Sequence, residues 1–399
     1  MGEKVRVGLI YGGRSGEHEV SLQTALAVMK AFDYSKYEIK PFYISKSGEW
    51  RSGDTLLAPP SDLAVLRLAD GDAIVGMDAL MPVFGGVADQ EPDEAASISA
   101  VPAEVKIAAV SSAANGVVPA SRGDNGLDVV FPLLHGTFGE DGTIQGLFEM
   151  ADIPYVGAGV LASAVGMDKI TMKKVFAQDG LPQCIYRYFN RTQWEKDESY
   201  YIMEIETALG YPCFIKPANL GSSVGISKAR NREELIAAVN YALRFDRKVI
   251  VEEFVDAREI EVSVLGNDEP QASVVGEITS SSEFYDYKAK YIDGKSMMHI
   301  PANLPAEVSE SVREMAVRAF QAIDGSGLSR VDFFLRKEDG QLFINEVNTM
   351  PGFTPYSMYP LMWKESGVSY AELLDTLIAL AISRHAEKQR IDYSGGSPA

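Results

Sequence analysis

Apolar residues in the first part of the chain follow two different periods. Val5–Tyr11 is a nearly continuous apolar run, which predicts a buried strand, and two glycines follow it as a turn. The next segment predicts a helix, because one face at helical spacing carries Leu22, Ala25, Leu26 and Met29. Tyr37–Ile44 then reads as a second strand. A strand, a helix and a strand in this order predict a parallel α/β sheet.

A segment of different composition interrupts this first region. Residues 59–125 are rich in Ala, Val, Gly, Ser and Asp, and their pattern indicates no chemistry. A recognisable secondary-structure pattern resumes at Leu127–Leu134, an apolar run suited to a strand buried on both faces. A loop over 135–143 and a helix that begins near Ile144 come next. Proline and glycine after this helix favour a domain boundary near residue 160.

Two more blocks of strands and helices follow. The second block is predicted to contain a lysine-rich helix, a strand over Cys213–Lys216, a helix over 232–245 and a strand over Lys248–Glu253. We therefore expect α/β structure that becomes α+β in the C-terminal half.

The third block begins with an amphipathic helix for which Gly325 is a plausible C-cap. A hairpin follows, with strands over Arg330–Leu335 and Leu342–Asn345, and a last helix is predicted over 370–383. The predicted domains are 1–160, 161–255 and 256–390, with a flexible tail over 391–399.

Composition and charge exclude several classes of protein. The 399 residues carry 37 Lys and Arg against 56 Asp and Glu, and this net charge of −19 argues against nonspecific nucleic-acid binding. No apolar run reaches the roughly 18 residues of a membrane-spanning helix. Only Cys184 and Cys213 are present, so a disulfide framework is not expected, and the first residues turn polar too soon for a signal peptide. We expect a cytoplasmic protein with neither a nucleic-acid nor a membrane partner.

A loop rich in Gly and Ser follows the strand that ends at Lys216. Gly221 and Gly225 permit close approach of the backbone, and Ser222 and Ser223 can donate hydrogen bonds to phosphate oxygens. The lysine precedes the glycines, so this is neither a Walker A loop nor a dinucleotide fingerprint. Taken alone, such a loop is also compatible with an ordinary turn.

The predicted hairpin carries a stronger signal. Glu346 and Asn348 alternate on one strand and therefore share a face, which Asp332 can join from the other strand. Oxygen-donor side chains next to a phosphate loop are what Mg²⁺ requires. The alternative is a solvated hairpin face, but the apolar residues that follow Asp332 argue against it.

Acidic and basic side chains outside the hairpin give weaker signals. Glu252 ends an apolar strand and Glu259 lies seven residues further on, which suits contacts to an adenine amino group and to ribose hydroxyls. Acids at strand ends are also commonly solvated. Lys169 alone would be interpreted as a surface residue on a helix.

Taken together, these residues resemble an ATP-grasp enzyme, and in particular the D-alanine–D-alanine ligase family. The resemblance covers nearly the whole chain, and its weakest part is 59–125. It is carried by four motifs in the same order, Gly12–Ser21, His135–Gly146, Phe284–Tyr291 and Asn345–Thr354. It implies a three-domain ATP-grasp architecture whose N-terminal domain is the parallel α/β unit.

The resemblance also assigns roles to single residues. It implies binding of the first D-alanine by Glu17 and His135, and binding of the second by Ser357 and Met358. It implies ATP contacts from Lys169, Lys216, Ser223, Glu252, Phe254, Val255, Glu259 and Lys290. The implied ligands of two Mg²⁺ or Mn²⁺ ions are Asp332, Glu346 and Asn348. The implied catalytic groups are Glu17, Ser222, Tyr291, the guanidinium of Arg330 and the backbone N–H of Gly352.

The implied reaction is the ATP-dependent joining of two D-alanine molecules through an acyl phosphate, for peptidoglycan precursors. The segment 283–292 is expected to close as a lid, because water would hydrolyse an acyl phosphate. A D-alanine–D-lactate ligase is the alternative, but that group commonly carries a His-containing lid where this chain has Lys290 and Tyr291. A second alternative is a nucleotide-regulated binding protein that kept the fold without the chemistry. Intact Arg330, Asp332, Glu346 and Asn348 argue against it. The family is usually dimeric, so a homodimer is expected.

Overall fold

The structure is a computed structural model that describes residues 4–68, 73–74, 126–221, 224–279 and 297–393. Its strands are β1 Val5–Gly12, β2 Tyr37–Ile44, β3 Trp50–Ser52, β4 Ala73–Ile74, β5 Val129–Pro132, β6 Tyr186–Asn190, β7 Cys213–Pro217, β8 Ser227–Ala229, β9 Lys248–Glu253, β10 Ala257–Gly266, β11 Gln271–Thr279, β12 Met297–His299, β13 Gly327–Arg336 and β14 Leu342–Asn348. Its helices are α1 His18–Ala31, α2 Leu63–Leu66, α3 Thr143–Met150, α4 Val160–Met167, α5 Lys169–Gln178, α6 Arg191–Lys196, α7 Glu198–Ala208, α8 Arg232–Ala242, α9 Ala306–Ala322, α10 Met358–Glu365 and α11 Tyr370–Lys388.

The N-terminal sheet has the predicted parallel core. Among the described residues its strand order is β4-β3-β2-β1-β5, and β1 pairs in parallel with both β2 and β5. The apolar run Leu127–Leu134 forms a shorter strand than predicted, Val129–Pro132. Leu127, Leu133 and Leu134 are nevertheless buried. Backbone hydrogen bonds to β1 continue at both ends, from the Asp128 N–H to the Arg6 carbonyl at 2.9 Å and from the Leu133 N–H to the Ile10 carbonyl at 2.8 Å, so both this contact and burial contribute to the apolar run.

The rest of the described chain is built on antiparallel sheets. The central sheet has the order β6-β9-β7-β8, and the C-terminal sheet has the order β12-β11-β10-β13-β14. The predicted change from α/β to α+β structure is confirmed. The predicted hairpin is β13 and β14, paired antiparallel around the turn that contains Gly340.

Two helix ends differ from the sequence prediction. Gly325 is not the C-cap of α9, because Ile323 holds that position and Asp324 adopts the left-handed conformation at φ 61°. The Gly325 N–H donates to the carbonyl of Phe320 at 2.8 Å, which places Gly325 one residue further along a Schellman motif. The last helix continues to Lys388 instead of Ser383.

Some predictions fall on segments that the structure does not describe. The tail over 394–399 and most of 59–125 lie outside the described residues. Within the described ranges, no single helix is both long and apolar enough to cross a membrane; α10 and α11 pass that test only as a pair, and they meet at a bend of 105°.

Candidate active site

The hairpin of β13 and β14 brings four polar side chains to one face. Asp332 is paired directly with Glu346, and Arg330 is paired with Asn348. Residues opposite each other in an antiparallel pair share a face, as do residues two apart on one strand. The juxtaposition is the predicted one, but alternation explains only the shared face of Glu346 and Asn348; a one-residue register shift between Asp332 and Phe333 is what brings Asp332 opposite Glu346.

Arg330 is a cation fixed among acids on this face. Its Nε and Nη2 atoms donate to the two carboxylate oxygens of Asp332 at 2.7 Å each, and Nε lies 3.0 Å from Glu261 Oε2. Burial alone would lower the pKa of Arg330, but Asp332 and Glu261 raise it well above its usual range. Arg330 is thus permanently charged. Glu261 was missed by the sequence analysis, although an acid inside the apolar run of β10 was a signal.

Lys169 is buried at the start of α5 and does not lie on the surface. Its Nζ atom donates to the carbonyl of Leu220 at 3.0 Å and lies 3.4 Å from Glu346 Oε2. The preceding Asp168 caps the helix by accepting the N–H of Thr171. This cap fixes the first turn of α5, so that Lys169 points between the Gly/Ser loop and the hairpin.

Glu252 lies between two lysines in the interior. Lys173 Nζ is 2.7 Å from Glu252 Oε1, and Lys216 Nζ forms an ion pair with Oε2. Burial would raise the pKa of Glu252, but the two lysines outweigh burial and lower the pKa to about 2. Lys173 was missed by the sequence analysis; its four-residue spacing from Lys169 on one helix was the available signal.

Five of the residues expected to hold a nucleotide surround one cavity of about 440 Å³, whereas Lys169, also expected there, lines a second cavity. The lining includes Lys216, Glu252, Phe254, Val255 and Glu259. Phe254 is half-exposed over this space and Lys228 Nζ lies 4.3 Å from its ring. The cavity lies between β9 and β10, where the strand of Glu252 passes into the strand of Glu259.

A second cavity of about 450 Å³ lies beside the first and opens onto the hairpin face. Its lining combines residues from all three predicted domains, namely Glu17, His135, Glu140, Lys169, Arg330, Glu346, Asn348, Gly352, Ser357 and Met358. Asp332 lies on the same hairpin face, behind Arg330.

Glu17 is buried at the N-terminus of α1, between two glycines. A Cβ atom on Gly136 would lie 3.0 Å from Glu17 Oε2, and one on Gly221 would lie 3.5 Å from Oε1. The absence of side chains at these positions leaves the carboxylate accessible from the cavity.

His135 and Glu140 face the same cavity from the loop before α3. His135 Nδ1 lies 3.1 Å from the carbonyl oxygen of Met350, and burial lowers the pKa of His135 to about 4, so the ring is neutral. Burial and the charge of Glu17 raise the pKa of Glu140 to about 8. Glu140 is a site residue that the sequence analysis did not single out.

Gly352 and Ser357 lie on the loop between β14 and α10. A Cβ atom on Gly352 would be 3.2 Å from Ser357 Oγ. Ser357 immediately precedes α10, and the Met358 side chain is buried against Gly276. Met358 therefore offers the cavity its backbone. Ser222, Ser223, Lys290 and Tyr291, together with the rest of the expected lid, lie outside the described residues.

Comparison with known proteins identifies the family. The profile described as "D-ala D-ala ligase N-terminus" matches residues 6–158, and "D-ala D-ala ligase C-terminus" matches residues 175–379. The chain belongs to the D-alanine–D-alanine ligase family. A ligase of this name from Bacillus cytotoxicus is 52% identical over 98% of this chain and 99% of its own length. The D-alanine–D-alanine ligase from Geobacillus kaustophilus is 51% identical over 98% of this chain and 98% of its own length.

Solved structures of the family have the same fold. The VanG D-Ala:D-Ser ligase of Enterococcus faecalis superposes with a TM-score of 0.75 at 36% identity, over 95% of this chain and all of that one. The D-alanine–D-alanine ligase of Coxiella burnetii superposes with a TM-score of 0.73 at 32% identity, over 98% of this chain and 97% of that one. The predicted ATP-grasp fold is confirmed.

Proposed function

We propose that this member of the D-alanine–D-alanine ligase family joins two D-alanine molecules to the dipeptide, with ATP as the source of energy and an acyl phosphate as the intermediate. The observation that carries this proposal is the permanent cation of Arg330, which lines a cavity shared with Glu17 and Gly352. The product would be a precursor of peptidoglycan, made in the cytoplasm by a homodimer.

The nucleotide is assigned to the cavity between β9 and β10. A carboxylate has about four lone-pair sites, so Glu252 can accept from an adenine amino group while it holds its two lysines. Phe254 and Val255 would contact the base, Glu259 the ribose, and Lys169 and Lys216 the phosphates. Ser223 and Lys290 complete the assigned set.

The hairpin face fits the two Mg²⁺ or Mn²⁺ ions. Asp332, Glu346 and Asn348 offer the hard oxygen atoms that these ions prefer. Among residues 4–68, 126–221, 224–279 and 297–393, no group of three or more His, Cys, Asp or Glu side chains could hold a metal ion by itself. When bound, the two ions would neutralise phosphate charge during transfer.

Glu17 would bind the ammonium group of the first D-alanine, beside His135. The carboxylate of this first D-alanine then attacks the γ-phosphate of ATP in line, which gives ADP and the acyl phosphate. Arg330 and the N–H of Gly352 stabilise the negative oxygen that develops at the acyl carbon, and removal of one such donor typically costs about 10²–10³ in rate.

The second D-alanine would bind at the start of α10. Its carboxylate is assigned to Ser357 and to the backbone of Met358, where the unpaired N–H groups of a helix N-terminus favour an anion. Its deprotonated amine attacks the acyl phosphate, and the tetrahedral adduct releases inorganic phosphate as the peptide bond forms. Ser222 and Tyr291 are assigned to the network that covers the substrates.

The test is release of phosphate from ATP, with products identified by mass spectrometry. We would compare four reaction mixtures: D-alanine alone, D-alanine with D-lactate, D-alanine with D-serine, and ATP without any amino acid. We expect alanyl-alanine as the main product and little phosphate without D-alanine. Depsipeptide as the main product would establish the lactate alternative, which the family comparison does not favour. Phosphate release without any ligated product would refute the proposal.

A further inference from the structure

Two side chains of the loop over 135–143 hold one residue of another domain. Glu140 Oε1 accepts the N–H of Met350 at 3.2 Å, while His135 Nδ1 lies 3.1 Å from the Met350 carbonyl oxygen. The other oxygen of Glu140 accepts the N–H of Gly136 at 2.5 Å. Both polar groups of the Met350 backbone are therefore engaged by side chains about 210 positions away in sequence.

Few degrees of freedom separate this contact from the oxyanion donor. Residues 350–352, here called the oxyanion loop, run Met-Pro-Gly. The ring of Pro351 fixes its own φ and restricts the residue before it. The Met350 side chain is itself buried, and its Cε would lie 3.2 Å from a Cβ on Gly157. With Met350 held at backbone and side chain and φ of Pro351 fixed by its ring, ψ of Pro351 is the main backbone dihedral left to orient the Gly352 N–H.

From this geometry we infer that Glu140 is a positioning residue for the ligase reaction, which fixes the oxyanion loop through its contact with the Met350 backbone. The inference rests on the proposed function, because it presumes that the Gly352 N–H serves the acyl-transfer step. Glu140 touches no reacting atom in this view. It acts through Met350, so its loss should affect the chemical step more than nucleotide binding.

Occupancy of the cavity should strengthen the contact. The repulsion between Glu17 and Glu140 contributes to the raised pKa of Glu140. An ammonium group bound at Glu17 would relieve this repulsion and favour the Glu140 carboxylate. A carboxylate accepts N–H hydrogen bonds more strongly than the neutral acid does. Binding of the first substrate and ordering of the oxyanion loop are thereby coupled.

The test compares Glu140→Ala and Glu140→Gln with Asp141→Ala as a matched control. Asp141 accepts the N–H groups of Phe138 and Thr143 at 2.8 and 3.0 Å, so it ties the same loop without reaching Met350. For each protein we would measure kcat for dipeptide formation, KM for ATP, and thermal unfolding. Acyl-phosphate formation would be followed separately, by positional isotope exchange in labelled ATP with D-alanine.

Misplacing the oxyanion donor should cost less than removing it, so we expect Glu140→Ala to lower kcat by about 10–100-fold. KM for ATP should stay within about twofold and isotope exchange should fall less than kcat. Glu140→Gln, which keeps one acceptor oxygen, should be intermediate, and Asp141→Ala should retain kcat.

Two results would overturn the inference. One is an unchanged kcat in Glu140→Ala; the other is an equal loss of kcat in Asp141→Ala, which would reduce Glu140 to a general support of its loop. Absence of dipeptide from the unmodified protein would instead refute the proposed function, and this inference with it. The unmodified protein is therefore assayed first.

Discussion

The buried triad of Lys173, Glu252 and Lys216 offers a sharp test of the electrostatics beside the central sheet. We predict that Lys173→Met destabilises the fold, since Glu252 would keep only one of its two cations. Lys173 is 2% exposed, and its Nζ lies 2.7 Å from Glu252 Oε1. Methionine keeps most of the length of the side chain, so the change removes charge more than volume.

The magnitude follows from the pKa of Glu252. The two lysines lower this pKa from 4.5 to about 2, which corresponds to about 3 kcal/mol of stability at about 1.4 kcal/mol for each pKa unit. Removing a sole partner from a buried pair costs about 3–5 kcal/mol. Because Lys216 remains, we expect Lys173→Met to lower the free energy of unfolding by about 2 kcal/mol at pH 7. This is about half to two-thirds of the stability that follows from the lowered pKa of Glu252.

The sign of the pH dependence is fixed by the direction of the pKa change. The pKa of Glu252 is lower in the folded state than in the unfolded chain, so its contribution is fully present above about pH 4.5 and is lost as the pH falls towards 2. In the variant the pKa of Glu252 rises and less stability remains to be lost. The difference in free energy of unfolding between the unmodified protein and Lys173→Met should therefore become smaller as the pH is lowered from 5 to 3.

The assay is urea unfolding followed by tryptophan fluorescence, which includes Trp194, stacked on Phe189 in the same sheet region. The control is Lys174→Met, the same substitution one residue further along α5. Lys174 is exposed and lies 4.4 Å from the ring of Tyr188, so its loss should cost no more than about 0.5–1 kcal/mol. The reasoning would be refuted if Lys173→Met and Lys174→Met lost equal amounts of unfolding free energy. It would also be refuted if the loss in Lys173→Met did not change with pH.

Three further predictions concern other parts of the molecule. Glu346→Gln should abolish ligation with an unchanged circular dichroism spectrum, because a neutral amide is a weaker ligand for a divalent ion; near-normal turnover at saturating Mg²⁺ would contradict the metal assignment. Gly276→Ala should raise KM for the second D-alanine by up to about tenfold, since a Cβ there would lie 2.4 Å from Met358 Cε and 3.0 Å from Met362 Sδ, so two buried side chains of α10 must shift to admit it; an unchanged KM would count against that binding site. Burial raises the pKa of both Cys184 and Cys213 to about 11, so a disulfide reagent at pH 8 should modify them far faster after unfolding, and a folded variant with serine at both positions should keep its activity.

Much of the fold could be predicted from the sequence, because strand and helix periods are local properties of the chain. The bounds of β2 and β9 were predicted as they occur, and the parallel pairing of β1 with β2 followed from the strand–helix–strand order. The ends of elements were less certain. Leu127–Leu134 contains buried residues on both sides of a four-residue strand, and burial alone does not tell a paired residue from an unpaired one.

Only part of the hairpin site was determined by the sequence. Alternation puts Glu346 and Asn348 on one face, but the register set at the turn would pair Asp332 with Asn345, and a one-residue shift between Asp332 and Phe333 brings Glu346 opposite Asp332 instead. The partners of the buried charges were decided only by the tertiary structure. Nothing local in the sequence indicates that Lys173 meets Glu252, or that Glu140 accepts the N–H of Met350 from 210 positions away. A period in the sequence indicates which side of an element is buried. The identity of a distant neighbour depends instead on how elements far apart in the chain pack together, and for a buried charge that neighbour sets the pKa.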